Sequence, residues 1–304
     1  MGYYIGIDGG GTKTKCVLAD ENLNIKFQTE SGPSHFLTIG AEIVSETIVG
    51  LITTCLENEN ISSSELNSVV LGTTGAGRIS DAEKLELAVN KLAKSKNLTI
   101  PSFNVVSDAR IALEGAFSGN PGSILIAGTG SIMFGKDRNE KIHRVGGFGR
   151  LIGDEGSGLT IGRMGLNILS KYFDGRIKET LLAKKIIDKF EINNQSELIT
   201  KVYSEEIKIQ HIAPLVIQSA TEGDIFCKEI LDKETNELLL HIVSMSEKLN
   251  EEKMKLAFIG GTIVNENLYS QMLKDKIKLY APSVVLQEAD YQPEVGAAIM
   301  AKQF

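Results

Sequence analysis

Four segments of the sequence carry residue types and spacings suited to chemistry. The first is Asp8-Gly9-Gly10-Gly11-Thr12-Lys13-Thr14. Its glycines let backbone N–H groups approach an anion closely, and Thr12 adds a hydroxyl donor. Gly10, Gly11, Thr12 and Lys13 are therefore candidate contacts to nucleotide phosphates. Asp8 ends a strand-like run and is placed to hold a magnesium ion through water. The glycine spacing matches neither the Walker loop nor the dinucleotide fingerprint, and a strand rather than a helix is expected after it. The second segment, Gly128-Thr129-Gly130-Ser131, offers similar equipment from a later part of the chain. Together the two suggest phosphates gripped from two sides.

The third segment runs from Gly146 to Ser157 and Gly158, with six glycines in thirteen residues. So many glycines imply an irregular loop that approaches a ligand closely. Asp154 and Glu155 within it suit bidentate acceptance from sugar hydroxyls. The fourth is Asp108, just after a strand-like run. Phosphoryl transfer to an alcohol needs a group to accept the hydroxyl proton, and a carboxylate does this. An Asp at such a place also serves as a helix N-cap, as does Ser107. Gly260-Gly261-Thr262 repeats the strand-then-glycine pattern, and there a flat ring can lie against the backbone.

These loops need strands to hold them. Tyr3–Ile7 and Lys15–Ala19 flank the first glycine turn as an antiparallel hairpin, and Ile25–Thr29 extends it. A helix is expected from about Ile39 to Leu56, with Ile43, Thr47, Leu51 and Cys55 on one face. Ser68–Gly72 reads as a buried strand. Asp81–Lys94 reads as a helix capped by Ser80 or Asp81. Phe103–Val106 is a strand, and a helix follows from about Ala109 to Phe117. After the break Ser118–Gly122 the opening pattern returns: Ser123–Ala127 and Ile132–Gly135 flank the second glycine turn as Ile5 and its neighbours flank the first. Residues 159–253 are rich in helix formers. Leu256–Ile259 and Val284–Gln287 are strands, and Pro293–Ala301 is a closing helix. Alternating strands and helices argue for an α/β protein with its ligands at the strand ends.

At 304 residues two domains are expected. The boundaries fall at 1–118 and 119–291, with the closing helix, 292–304, returning to the first domain. The net charge of −7 opposes nucleic-acid binding and suits a small neutral substrate. Three scattered cysteines, Cys16, Cys55 and Cys227, suit neither a disulfide framework nor a zinc site. A basic start, a signal-like apolar run and a membrane-length apolar run are all absent, so the reducing cytoplasm is the expected location.

Taken together, these motifs resemble the superfamily of actin, Hsp70 chaperones and sugar kinases. Within it the sequence is similar to the family that groups benzoyl-CoA reductase ATPase subunits with N-acetylglucosamine kinases. Motif order and spacing match from Ile5 to about Asn265, and Gly147-Phe148-Gly149 with Gly153-Asp154-Glu155-Gly156-Ser157 points to the sugar kinases. The resemblance implies two ribonuclease H-like domains facing across a cleft, and ATP and magnesium as cofactors. It implies that Thr12, Thr129 and Gly130 bind phosphates and that Asp108 is the general base. It places Ser34, Ser131, Ile132, Gly147, Phe148, Gly149 and Asp154 at the sugar, and Gly260, Gly261 and Asn265 beside the nucleoside. His35 stands where relatives place an Asn that contacts a sugar hydroxyl, which either is a tolerated loop substitution or suits a sugar altered there, such as N-acetylmuramic acid. The implied activity is phosphorylation of N-acetylglucosamine, O6 being the expected hydroxyl, by a homodimer without nucleic-acid or membrane partners. The alternatives are a glucosamine kinase and an ATPase activator of a dehydratase or reductase. The activator reading lacks the cysteine pair beside a glycine turn that an iron–sulfur cluster needs.

Overall fold

The computed structural model of the chain describes residues 2–76 and 79–304. It divides into two compact units, Met1–Gly122 with Glu288–Phe304, and Ser123–Gln287. The first unit runs β1 (Tyr3–Gly9), β2 (Thr14–Ala19), β3 (Ile25–Ser31), α1 (Phe36–Ile39), α2 (Ala41–Asn58), β4 (Leu66–Thr73), α3 (Ile79–Ser95), β5 (Phe103–Ser107) and α4 (Asp108–Ala116). The second runs β6 (Gly122–Ala127), β7 (Ser131–Lys136), β8 (Ile142–Gly146), α5 (Gly158–Phe173), α6 (Leu181–Phe190), α7 (Gln195–Tyr203), α8 (Ala213–Thr221) and α9 (Ile225–Leu249). It closes with β9 (Met254–Ile259), α10 (Gly261–Val264), α11 (Leu268–Tyr280) and β10 (Val284–Leu286). Helix α12 (Pro293–Ala301) returns to the first unit.

The sheets have the same topology. One is ordered β3-β2-β1-β4-β5 and the other β8-β7-β6-β9-β10. The paired glycine turns of the sequence thus occupy equivalent places, after β1 and after β6. The α/β expectation of two similar domains is borne out. Strand β8 was not foreseen: its residues are all partly or fully exposed, so its alternation is weak.

In the first unit β1 and β4 are central and covered on both faces. Ile5, Ile7, Val69 and Leu71 pack with α2 and α3, whereas Val70 packs with Ile111 of α4 and Met300 of α12. Helix α12 comes very near. A Cβ on Gly6 would lie 2.1 Å from the carbonyl oxygen of Glu294, and one on Gly296 would lie 2.0 Å from that of Ile111. Only glycine allows both approaches.

Helix α2 buries Val44, Ile48, Ile52 and Cys55, while Ile43 is 56% exposed. Four-residue spacing drifts from a helix of 3.6 residues per turn, so Ile43 leaves the buried face. Gly40, at φ 88°, separates α2 from α1. Ser80 and Asp81 lie inside α3 rather than capping it. The thiols of Cys16 and Cys55 are buried and free, 3.5 Å apart, and Cys227 is free in the second core. No helix among the described residues is long and apolar enough to cross a membrane.

Candidate active site

The β1–β2 register pairs Asp8 with Lys15 and Gly9 with Thr14, which leaves Gly10–Lys13 as the turn. The Gly10 N–H donates to the Lys13 carbonyl at 3.1 Å and closes it. Gly11 and Thr12 are exposed, and Lys13 makes a 3.0 Å surface ion pair with Glu30. Ser34 is fully buried beneath this turn. Its N–H donates to Gly10 O at 3.0 Å, and its hydroxyl lies 2.7 Å from that of Thr14. A side chain at position 9 would strike the Ser34 hydroxyl, so Gly9 is required there. His35 precedes α1, with Nδ1 2.5 Å from the Thr38 hydroxyl.

Asp108 opens α4, but Ser107 caps it: the Ser107 hydroxyl accepts the Arg110 N–H at 3.2 Å. The Asp108 carboxylate is therefore available for other work. Its Oδ2 accepts the Thr74 hydroxyl at 2.7 Å and its Oδ1 accepts the Ala109 N–H at 2.8 Å. Each oxygen keeps a second lone pair. Burial, with Glu294 and Asp108 nearby, raises Asp8 from 3.8 to about 6, against a lowering pull from Lys15. Lys15 Nζ also lies 3.5 Å from Glu294 Oε1, while Glu294 Oε2 is buried without a hydrogen-bond partner. This carboxylate set is short of positive charge and fits a hydrated divalent cation carried on nucleotide phosphates. No three such side chains among the described residues close around a single ion.

In the second unit the glycine segments converge. Gly158 N–H donates to Gly128 O at 2.8 Å, and Leu159 N–H to Thr129 O at 3.2 Å, which joins the turn after β6 to the start of α5. Asp154, in the left-handed region at φ 62°, is held by three bonds. Its Oδ1 accepts the Ser131 N–H at 3.3 Å, and its carbonyl accepts from the Thr160 hydroxyl and the Ser157 N–H. The Ser131 hydroxyl donates to Glu155 O at 2.5 Å. A Cβ on Gly147 would lie 2.3 Å from Ile132 Cδ1, which puts these two predicted sugar contacts together. Phe148 is 69% exposed, with the Arg144 guanidinium 5.9 Å from its ring centroid. Gly149 has φ 86°.

Gly260, at φ 97°, passes so near β6 that a Cβ would lie 2.4 Å from Ala127 O. Asn265 Nδ2 donates to Gly261 O at 2.9 Å. Gly128, Thr129, Gly261 and Asn265 line one pocket of about 670 Å³ with Pro214, Ile217 and Gln218 of α8. Of the predicted phosphate and nucleoside contacts, this pocket brings together Thr129, Gly261 and Asn265, while Gly130 and Gly260 do not line it.

Sequence reasoning missed several residues. The α8 wall of the pocket carries no motif. Thr74 lies in a further strand-then-glycine turn, Thr73-Thr74-Gly75, which was a usable signal. Lys15 and Glu294 meet Asp8 only through strand register and the return of α12. Glu234 and Tyr269 are buried helical residues with no local mark. Burial pushes the Glu234 carboxyl above its usual range, against the lowering effect of the Gly156 N–H it accepts.

The model of the BadF/BadG/BcrA/BcrD ATPase family matches residues 5–301. The chain belongs to that family. The resemblance drawn from the motifs is thereby borne out. Among family-like relatives, the N-acetylmuramic acid/N-acetylglucosamine kinase of Clostridium acetobutylicum is 33% identical over 99% of each chain. The N-acetyl-D-glucosamine kinase of Dictyostelium discoideum is 29% identical over 98% of this chain and 97% of its own. A solved structure from Chromobacterium violaceum superposes with a TM-score of 0.72 at 21% identity, covering 100% of this chain and 99% of that one, and so shares the fold.

Proposed function

We propose that this chain is an ATP-dependent amino-sugar kinase, which transfers the γ-phosphate of ATP to O6 of N-acetylglucosamine and of N-acetylmuramic acid. One observation carries the reaction class. Asp108 is released from capping by Ser107 and is oriented by Thr74, as a base for an alcohol must be. The full-length relatives named above support the acceptor.

The second unit holds the nucleoside in the pocket of Gly261, Asn265 and α8, with Thr129 and Gly130 on the phosphate side. The first unit offers Gly10, Gly11, Thr12 and Lys13 to the phosphates and Asp108 to the sugar hydroxyl. Asp108 takes the proton as the hydroxyl oxygen bonds to the γ-phosphorus, and the bond from that phosphorus to ADP breaks. Asp8 would hold a magnesium ion through water, and that ion would supply charge neutralisation on the transferring group. For the sugar the first unit offers Ser34 and His35, and the second offers Ser131, Ile132, Gly147, Phe148, Gly149 and Asp154. His35 keeps its Nε2 for the sugar while Nδ1 engages Thr38. The lactyl ether of N-acetylmuramic acid occupies the place where relatives present Asn. The enzyme works as a cytoplasmic homodimer, which light scattering of the purified protein tests.

The test of function is ADP release from ATP and magnesium with N-acetylglucosamine, N-acetylmuramic acid, glucosamine, glucose or no sugar. Release that requires an N-acetylated amino sugar is expected. Release indifferent to sugar would overturn the kinase reading in favour of an ATPase activator. Turnover of N-acetylglucosamine alone would remove the role given to His35.

A further inference from the structure

Glu234 is a carboxylate in the middle of α9, only 2% exposed. Taking a carboxylate out of water is costly unless hydrogen bonds replace the lost hydration. Its Oε2 accepts the Gly156 N–H at 2.7 Å. That N–H belongs to the peptide between Glu155 and Gly156. The other end of the same peptide, Glu155 O, accepts the Ser131 hydroxyl at 2.5 Å. The next carbonyl, Gly156 O, accepts the phenol of Tyr269 at 2.8 Å, and Tyr269 is fully buried. Two successive peptides are thus gripped from α9 and α11. Gly156 has φ 77°, and a Cβ there would lie 2.3 Å from Leu238, so the chain has no room to shift toward α9. Asp154 lies two residues upstream, and Ser157, the cap of α5, follows directly.

We propose that Glu234 is a positioning residue for the sugar loop. Through the 155–156 peptide it fixes the Ser131 hydroxyl and the backbone that carries Asp154, and Tyr269 acts with it as the second clamp. Neither side chain lines the nucleotide pocket. Gly158, two residues after Gly156, does line it, so their loss is expected to fall more on sugar recognition than on ATP. The inference rests on the amino-sugar kinase reading and adds to it two residues that do not touch the substrate.

The experiment measures KM for N-acetylglucosamine and for ATP, together with kcat, in the full-length Glu234→Ala, Glu234→Gln and Tyr269→Phe variants. Loss of one charge-assisted hydrogen bond is expected to raise the sugar KM about tenfold in Glu234→Ala. Tyr269→Phe, which removes only a hydroxyl, raises it about threefold, and ATP KM stays within about twofold throughout. Glu234→Gln keeps an acceptor oxygen at the same reach and restores most of the sugar affinity. A merely structural role lowers the melting temperature and the active fraction without moving KM. If Glu234→Ala does not fold, Tyr269→Phe and Glu234→Gln still decide the matter. Unchanged sugar KM in the folded variants, or sugar and ATP KM rising together, overturns the inference and leaves the kinase intact. Absence of sugar-dependent turnover in the unsubstituted chain overturns the kinase reading, and this inference with it.

Discussion

Replacing Asp8 with Asn is expected to make the protein more stable at neutral pH and poorer as an enzyme. The Asp8 carboxyl titrates at about 6 instead of 3.8, first because it is buried and then because Glu294 and Asp108 repel its charge. A carboxyl raised in the folded state binds protons there more tightly than in the unfolded chain. Its contribution is most favourable below the unfolded value near 3.8 and is lost as the pH rises through about 6. At ~1.4 kcal/mol per tenfold in proton binding, holding Asp8 charged at neutral pH costs ~3 kcal/mol of folding stability. Asn keeps the shape and carries no charge. Urea denaturation at about pH 4 and about pH 7.5 tests this, because the other carboxylates contribute alike to both proteins and cancel in the difference. The variant should gain ~2–3 kcal/mol over the parent at the higher pH and little at the lower. An equal gain at both, or no gain at about pH 7.5, would refute the electrostatic account of Asp8. Sugar-dependent ADP release should fall in the same variant if, as proposed, the charge that destabilises the empty protein is the one that meets the magnesium of the nucleotide.

Asp108→Asn should lower kcat by about a hundredfold or more while ATP binding, followed by calorimetry, stays nearly intact. Near-normal turnover would remove Asp108 from the mechanism. Thr74→Val takes away the hydroxyl that orients Asp108, and kcat should drop about tenfold with the sugar KM little changed. Gly6→Ala sets a methyl against the backbone of α12 and should cost about 3 kcal/mol in urea denaturation, because no side chain can move aside to relieve it.

The loops were legible because their glycines and flanking strands are local. Gly10 to Lys13, Gly128 to Gly130 and Gly260 to Thr262 each follow a strand, with Asp8 and Gly9 still inside β1, and Pro293–Ala301 was read with its observed ends. Ser107 and Asp108 stood as rival caps in the sequence, and only the Ser107–Arg110 hydrogen bond shows which of them caps the helix. The buried face of α2 was partly misread, since four-residue spacing approximates 3.6 only over short runs.

The sequence by itself determined the two-unit α/β plan and the glycine turns, and it offered Asp108 as a candidate base. These depend on backbone freedom and strand periodicity, which neighbours in sequence decide. Tertiary structure alone decided which side chains act on them. Glu294 returns on α12 and adds to the burial that raises Asp8, and Pro214 and Ile217 on α8 line one pocket with Gly261. Glu234 and Tyr269, 78 and 113 residues from Gly156, clamp its peptide from two helices. Contacts over such separations follow from packing of whole elements, and a burial or charge effect exists only once those elements have met.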